Sequence, residues 1–355
     1  MRLLLKIIRR RSIPGCFYST SSTTVARSIY ISKSTDIFTN LALEDWLYKN
    51  FNVTNHELLM LWQNEPCVVI GRHQNPWIEC NFAQLPYIAG GVKLARRNSG
   101  GGTVFHDLGN LNLTFFTTRK NYNRKRNLEL ISRALKKSFE VNSEVNSRED
   151  LCISDFKISG TASKLGRTTA YHHCTLLVSA DKDNLSLALK NNLGECTKTN
   201  ASKSVKSPIM NLTEEKSDIT VQEVMTAVIL EYGNTNDIKI IESIDDDIFP
   251  GVTNIKNEYL SIAWRYEKTP KFQITKSINF AQNQDLVILL TVEHGRVSSV
   301  DLRHKNKDLS VSKDFSEMFD SLIGKLFSEE VLSEFDMLLC GLRNSQECKS
   351  IVCDS

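Results

Sequence analysis

The sequence predicts an α+β fold with mixed, largely antiparallel sheets. Short apolar, β-prone runs separated by turn residues predict many brief strands. Pairs of such runs that can close as hairpins outnumber strand–helix–strand units, which argues against a doubly wound parallel sheet. The 355 residues, 41% hydrophobic and 24% charged, have ordinary globular composition and suffice for one large domain or two smaller ones.

Taken in order, "NLALEDWLYKN" (40–50) reads as a helix with Leu43, Trp46 and Leu47 on one face. "ELLMLWQ" and "PCVVIGRHQ" read as strands joined by the turn-like "NEP". "NFAQLPYIAGG" is a short helix or turn stopped by two glycines. "VKLARR" is a strand entering a glycine-rich loop, and "GNLNLTFFTT" is a strand leaving it. "NLELISRALKKSF" places Leu128, Ile131, Leu135 and Phe139 at helical spacing. "DLCISDFKISG" and "TTAYHHCTLLVSA" are strands, "NLSLALKNN" is a helix, and "TKTNASKSVKSPIMNL" is a loop. Thr220 and Glu223 form a capping box for a helix that Gly233 ends.

After "SIDDDIFPG" (243–251) the organisation changes, and a domain boundary is expected near 245–252. "KNEYLSIAWRYE" is helical, "DLVILLTVEHGRVSSVDLRH" is a hairpin turning at His294-Gly295, and two helices near 313–327 and 328–341 follow. The expected division is a presequence over 1–27, a catalytic domain over 28–247 and a small accessory domain over 248–355.

Charge distribution excludes several function classes. Arg2, Lys6, Arg9, Arg10, Arg11 and Arg27 precede the first acid, Asp36, in a Ser/Thr-rich opening. That is the composition of a mitochondrial transit peptide, so the matrix is the expected compartment. Without residues 1–27 the formal charge falls from +3 to −3, which removes the cheapest support for nucleic-acid binding. No apolar run reaches the ~18–20 residues of a membrane-spanning helix. The local basic run "RKNYNRKRN" (119–127) suits a solvated loop or a patch for an acidic partner. Nine scattered cysteines form no C-x-x-C pair and no zinc-like cluster. Reduced thiols are expected and no metal is.

Two constellations carry chemistry. The first is "LARRNSGGGTVFHDLGNLNLTFF" (94–116). It lacks the G-x-x-x-x-G-K-[ST] of a Walker loop, the G-x-G-x-x-G of a dinucleotide fold and the partner motifs of a kinase. What remains is a strand–Gly₃–strand loop that lets ligand atoms approach the backbone closely. Arg96 and Arg97 offer planar cationic donors and Ser99 a hydroxyl, as a carboxylate or phosphate site would need; a plain hairpin turn with exposed arginines fits the same residues. The second is "FKISGTASKLGRTTAYHHCTLL" (156–177). Lys157 lies in an apolar strand, where a lysine is seldom buried unpaired. Of His172 and His173, strand alternation allows only one to face a site, and both read as packing or supporting residues.

Together these motifs resemble the lipoate–protein ligase A and lipoyltransferase family, nearest to the transferase branch of animal mitochondria. The resemblance extends to "SVKSPIMNL" and "WRYEKTPKF" and covers most of the chain after the presequence. It implies a biotin/lipoate-ligase-like catalytic domain with a small C-terminal α/β accessory domain. It implies no tightly bound cofactor, but a donor substrate, lipoyl-AMP or a lipoylated protein. The implied acceptors are lysines on lipoyl domains of 2-oxoacid dehydrogenase E2 subunits, with the glycine-cleavage H protein as a further partner; a monomer is expected. Lys157 matches the family's essential lysine. Arg97, Ser99, Gly100, Gly101 and Gly102 match the loop around the acyl carboxyl, and Phe105 a ring against the ligand. Arg148 aligns with an arginine near the nucleotide, and Thr175, Thr199 and Ala201 with adenylate contacts. His106, Asp107 and Asn110 are expected to support the loop. Leu113 and Phe115 fit either an apolar acyl tunnel or the core, and Cys174 a core thiol. Lys164 departs from an arginine common in bacterial ligases, and "TNAS" from their "TKG". This leans the reading toward transfer, with two alternatives: a full ATP-dependent ligase, and an inert lipoyl-binding protein.

Overall fold

The computed structural model describes residues 25–190, 193, 197–233, 237–280, 284–304 and 317–344. All but the last three positions of the expected presequence lie outside these residues. Ala26 and Arg27 already belong to the first strand. The chain forms two compact units. One comprises residues up to 71, 93–185 and 205–260; the other comprises 72–92, 186–204 and the stretch from 261 onward.

The first unit is built on a six-stranded mixed sheet. Its strands are β1 (Ala26–Ser32), β2 (His56–Trp62), β6 (Asn110–Thr118), β10 (Thr161–Leu165), β11 (Thr169–Leu177) and the strand Ile238–Ile241, in the order β10-β11-β6-β2-β1-(238–241). The β10–β11, β11–β6 and β6–β2 pairs are antiparallel, while β1 is parallel to both its neighbours. Two three-stranded sheets complete the unit. One joins β3 (Cys67–Ile70), β4 (Lys93–Arg96) and β5 (Val104–His106); the other joins β7 (Glu144–Val145), β8 (Leu151–Ile153) and β9 (Phe156–Ser159). Thus "ELLMLWQ" and "PCVVIGRHQ" are both strands but enter different sheets. "VFH" and "TASKL", not anticipated as strands, supply β5 and β10.

Alternation along β6 separates core from chemistry. Leu111, Leu113 and Phe115 point to one face and join Ile29, Ile31, Leu59, Leu61 and Leu176 in the main core. Helices α1 (Ile37–Asn50), α2 (Arg124–Phe139) and α3 (Val221–Tyr232) follow in the chain. Leu128, Ile131 and Leu135 of α2 and Val224, Val228 and Ile229 of α3 cover that apolar face. Each such fully buried side chain contributes about 1.5–3 kcal/mol. Leu113 and Phe115 therefore pack in the core. The opposite face of β6 carries Asn110, Asn112 and Thr114, all buried.

The second unit holds an antiparallel sheet of strands Thr197–Thr199, Phe272–Phe280, Gln284–Glu293 and Arg296–His304. Its core gathers aromatic rings about Trp77, with centroids 5.5 Å from Phe272 and 5.3 Å from Phe327. The His294-Gly295 turn has φ of 49° and 71°, as a two-residue hairpin with right-handed twist requires. Of the two C-terminal helices expected, the second is found over Glu329–Asn344. The first, expected near 313–327, begins outside the described residues; helical residues 317–318 are followed by a 3₁₀ turn at Asp320–Leu322. Gly324, at φ 80°, turns the chain there, and Leu326 bridges to Arg296. Among the described residues no helix is long and apolar enough to cross a membrane.

The capping box is present in full: Thr220 Oγ1 accepts the Glu223 N–H while Glu223 accepts the Thr220 N–H at 3.0 Å. Thr220→Ala should cost about 1 kcal/mol, and thermal melting should show a midpoint lower by roughly 2–4 °C.

Candidate active site

The glycine loop lies between β4 and β5 of the first unit and is held from within by Arg97. Arg97 is buried, with 4% exposure. Its Nε–H donates to Ser99 Oγ at 3.0 Å, its Nη1 to Val69 O at 3.1 Å, and its Nη2 to Gly100 O at 2.6 Å and Gly102 O at 2.7 Å. Burial lowers its pKa to about 10, opposed by Tyr171 and Glu44, so it remains a cation at neutral pH. The expectation of an arginine turned toward a ligand anion meets a different geometry, because this guanidinium folds back on the loop's own carbonyls. Arg96 is fully buried and Nη1 reaches Gly71 O at 3.4 Å.

The loop sits tightly on its neighbours. A Cβ on Gly71 would lie 2.3 Å from Gly101 O, and one on Gly101 3.0 Å from Arg97 Nη2 and 3.3 Å from Ala162 Cβ. Gly101 also has φ 85°, which disfavours any side chain there. A Cβ on Gly100, by contrast, would meet nothing within 4 Å. The space beside Gly100, on the side a side chain would take, is thus open.

Three side chains beside the loop were expected to support it. Asp107 Oδ1 accepts the Gly109 N–H at 2.8 Å, and its Oδ2 accepts the Asp181 N–H at 2.7 Å. Asn110 Nδ2 donates to Asn112 Oδ1 at 3.2 Å. His106 accepts at Nδ1 from Asn64 Nδ2 (2.9 Å). Burial, with Arg97 and His173 nearby, pushes its pKa down to about 3, so the ring is neutral. Phe105, next to it in β5, is buried.

Helix α1 supports the loop with two adjacent acids. Glu44 Oε1 accepts from Thr114 Oγ1 at 2.7 Å and meets His173 Nδ1 at 2.8 Å, while His173 Nε2 lies 2.9 Å from Ser99 Oγ. Asp45 Oδ1 accepts from Asn98 Nδ2 at 2.8 Å and from Lys164 Nζ at 3.0 Å; Oδ2 pairs with Lys49 at 2.6 Å. Burial works against the Asp45 carboxylate, yet Lys164 and Lys49 hold its pKa below the ordinary range. Lys164 also lies 4.3 Å above the Tyr48 ring. A Cβ on Gly166 would strike the Tyr48 hydroxyl, so the β10–β11 turn needs glycine there.

Lys157 sits in β9, and its Nζ pairs with Asp150 Oδ1 at 2.7 Å. Its backbone joins Pro208 O at 2.9 Å and Met210 N–H at 3.1 Å. Arg148, exposed, lies in the β7–β8 turn that also carries Asp150; Asn146 Oδ1 shapes that turn by accepting from both N–H groups. Strand β9 leads through Gly160, whose N–H donates to Thr175 Oγ1 at 3.0 Å, into the Thr161–Ala162 segment under Gly101. Lys157, Thr175 and the loop therefore belong to one unit. Thr199 and Ala201 lie in the second unit, where Thr199 Oγ1 accepts the Ala201 N–H at 3.1 Å. Cys174 is buried, and its thiol is pushed up to about 12 by burial, which suits an unreactive core sulfur.

Sequence reasoning missed Glu44, Asp45, Asp150 and the contact of His173. The available signal was the "ED" pair inside the otherwise apolar "IFTNLALEDWL" helix: acids are rarely buried unless partnered.

The family profile described as the lipoyl protein ligase A/B catalytic domain matches residues 36–233. The chain belongs to this family. The mitochondrial lipoyl amidotransferase of Homo sapiens is 43% identical over 306 residues, covering 83% of this chain and 81% of that protein. The P. falciparum LipL1 structure in complex with lipoate matches with TM-score 0.61 and 27% identity, over 87% of this chain and 94% of that one. The bipartite lipoate protein ligase of Thermoplasma acidophilum, described with its E2 lipoyl domain, shares the fold with TM-score 0.55 at 22% identity, over 68% of this chain and 96% of that one.

Two outcomes test this geometry. Gly71→Ala forces its new methyl against backbone and should cost about 1–3 kcal/mol, whereas Gly100→Ala should leave the urea midpoint nearly unchanged. Because the folded pKa of His106 lies below its unfolded value, the stability it contributes is present above about pH 6.5 and is lost as pH falls toward 3. Urea titrations at pH 7.5 and 5 should show wild type weakening on acidification, and His106→Gln weakening less.

Proposed function

We propose that this protein transfers a lipoyl group from an activated donor, lipoyl-AMP or the lipoylated glycine-cleavage H protein, to a lysine on lipoyl domains of 2-oxoacid dehydrogenase E2 subunits. It is an acyltransferase enzyme of lipoyl transfer, and it works in the mitochondrion. The observation that carries the reading is the open space beside Gly100, in a loop clamped by Arg97, in the same unit as the ion-paired Lys157. The likeness to a mitochondrial lipoyl amidotransferase supports the same chemistry.

In the reaction the acceptor lysine's neutral amine attacks the acyl carbon. A C–N bond forms, and the bond from acyl carbon to the donor's oxygen or nitrogen breaks. The departing AMP phosphate or lysine nitrogen takes the electron pair, and the proton given up by the attacking amine passes to that nitrogen when lysine departs, or to solvent when AMP departs. Lys157 supplies an ammonium that pairs with Asp150 at rest. As the acyl oxygen gains negative charge, that ammonium has more to gain from the oxyanion than from the carboxylate, so its effect grows toward the transition state. Backbone N–H groups of the glycine loop orient the acyl carboxyl, and Arg97 keeps the loop in place without itself being consumed by the ligand. Thr175 holds the Gly160 backbone beneath them.

Transfer is favoured over ATP-dependent activation by the position of Lys164. Its ammonium already has Asp45 and the Tyr48 ring as partners. A lysine so engaged is a poor substitute for a bidentate arginine on phosphates.

Lys157→Ala should lower transfer from lipoyl-AMP to an apo-lipoyl domain by about 10²–10³-fold with the fold intact by circular dichroism. Retention of full activity would remove Lys157 from the mechanism. In parallel, ATP, Mg²⁺ and free lipoate should lipoylate the acceptor poorly while lipoyl-AMP does so readily. Equal rates would establish a full ligase.

A further inference from the structure

A continuous chain of polar side chains runs behind the glycine loop from Trp62 to Arg97. Trp62 Nε1–H can only donate, and it donates to Thr114 Oγ1 at 3.1 Å. Thr114 therefore turns its own proton to Glu44 Oε1 at 2.7 Å. A carboxylate only accepts, so His173 carries its proton on Nδ1 and donates to the same Glu44 oxygen at 2.8 Å. His173 Nε2 lies 2.9 Å from Ser99 Oγ, so one ring bridges the acid and the serine. Arg97 Nε–H fills a lone pair on Ser99 at 3.0 Å. Ser99 is 1% exposed and Glu44 2%.

The order Ser–His–acid matches that of a hydrolytic triad, yet two features set it apart. The hydroxyl is covered, and the guanidinium holds one of its lone pairs, which withdraws nucleophilicity. A serine held by both His173 and Arg97 is instead a rigid strut beside Gly100. We propose that His173, backed by Glu44, is a positioning residue for lipoyl transfer: it fixes Ser99, and through Ser99 and Arg97 the backbone at Gly100. The inference rests on the transfer reading above only for its catalytic consequence; the Glu44–His173–Ser99–Arg97 contacts stand by themselves.

Two substitutions divide the strut. Asn at 173 places an amide near the Nδ1 position and keeps the Glu44 bond, while Gln reaches the Nε2 position and keeps the Ser99 bond. His173→Asn and His173→Gln should each lower kcat for transfer about tenfold, with KM for the acceptor domain and the melting midpoint nearly unchanged. In a Ser99→Ala background the same substitutions should add no further loss, since the residue acts through Ser99. Long-range ¹⁵N NMR of the imidazole should show the proton on Nδ1, and amide exchange at Gly100–Gly102 should quicken in His173→Asn. Both readouts are independent of lipoyl chemistry, so they decide the inference even if Lys157→Ala proves active and the transfer reading fails. A proton on Nε2 alone, an undiminished loss in the Ser99→Ala background, or an acyl group found on Ser99 by mass spectrometry after exposure to an activated octanoyl ester would each overturn it.

Discussion

The buried guanidinium of Arg97 is the constraint on which the rest of the site depends. Three consecutive glycines have more conformational freedom to lose than any other tripeptide, so the loop cannot hold its own shape. Arg97 supplies the missing order with a planar fork that meets Val69 O, Gly100 O, Gly102 O and Ser99 Oγ. Lysine, with a single ammonium, could not span those acceptors. A buried cation is costly unless compensated. The loop carbonyls and the nearby Glu44 carboxylate provide that compensation, and burial still leaves the group protonated at neutral pH.

Around this clamp one sheet does two jobs. Its apolar face, through Leu111, Leu113 and Phe115, is sealed by α2 and α3 and supplies the stability of the unit. Its other face carries Thr114 and His173 as cross-strand partners, and Glu44 of α1 bonds to both. The neighbouring acid, Asp45, holds Asn98 and Lys164. Two consecutive acids on one helix thus tie the loop, β10 and β11 together, at positions where an amphipathic surface helix would carry solvated charges. The chemistry asked of Lys157 needs such a rigid frame, since an oxyanion is stabilised by groups already in place when charge develops.

Local signals were read well from the sequence because each depends on a few neighbouring residues. The Thr220–Glu223 box, the His294-Gly295 turn and the helical spacing of Leu128, Ile131 and Leu135 are of this kind. Within the stretch expected as a helix near 313–327, Gly324 turns the chain and Leu326 bridges to Arg296, so no helix runs to its end. The sequence also showed that at most one of His172 and His173 could face the loop; it could not show which. His173 does, while His172 stacks on Phe115 in the apolar layer.

By itself the sequence determined the fold class, the family, and the presence of a lysine-bearing strand and a glycine loop, because motif order and residue periodicity are carried by the chain locally. Tertiary structure decided what those groups touch: that Arg97 turns inward, that Lys157 meets Asp150, that Lys164 meets Asp45, and that segments 72–92 and 186–204 join the stretch after 261 in one compact unit. Partners more than a hundred residues apart in sequence, such as Asp45 and Lys164, leave no local pattern. Which charge neutralises which is settled only when burial removes water as the alternative partner.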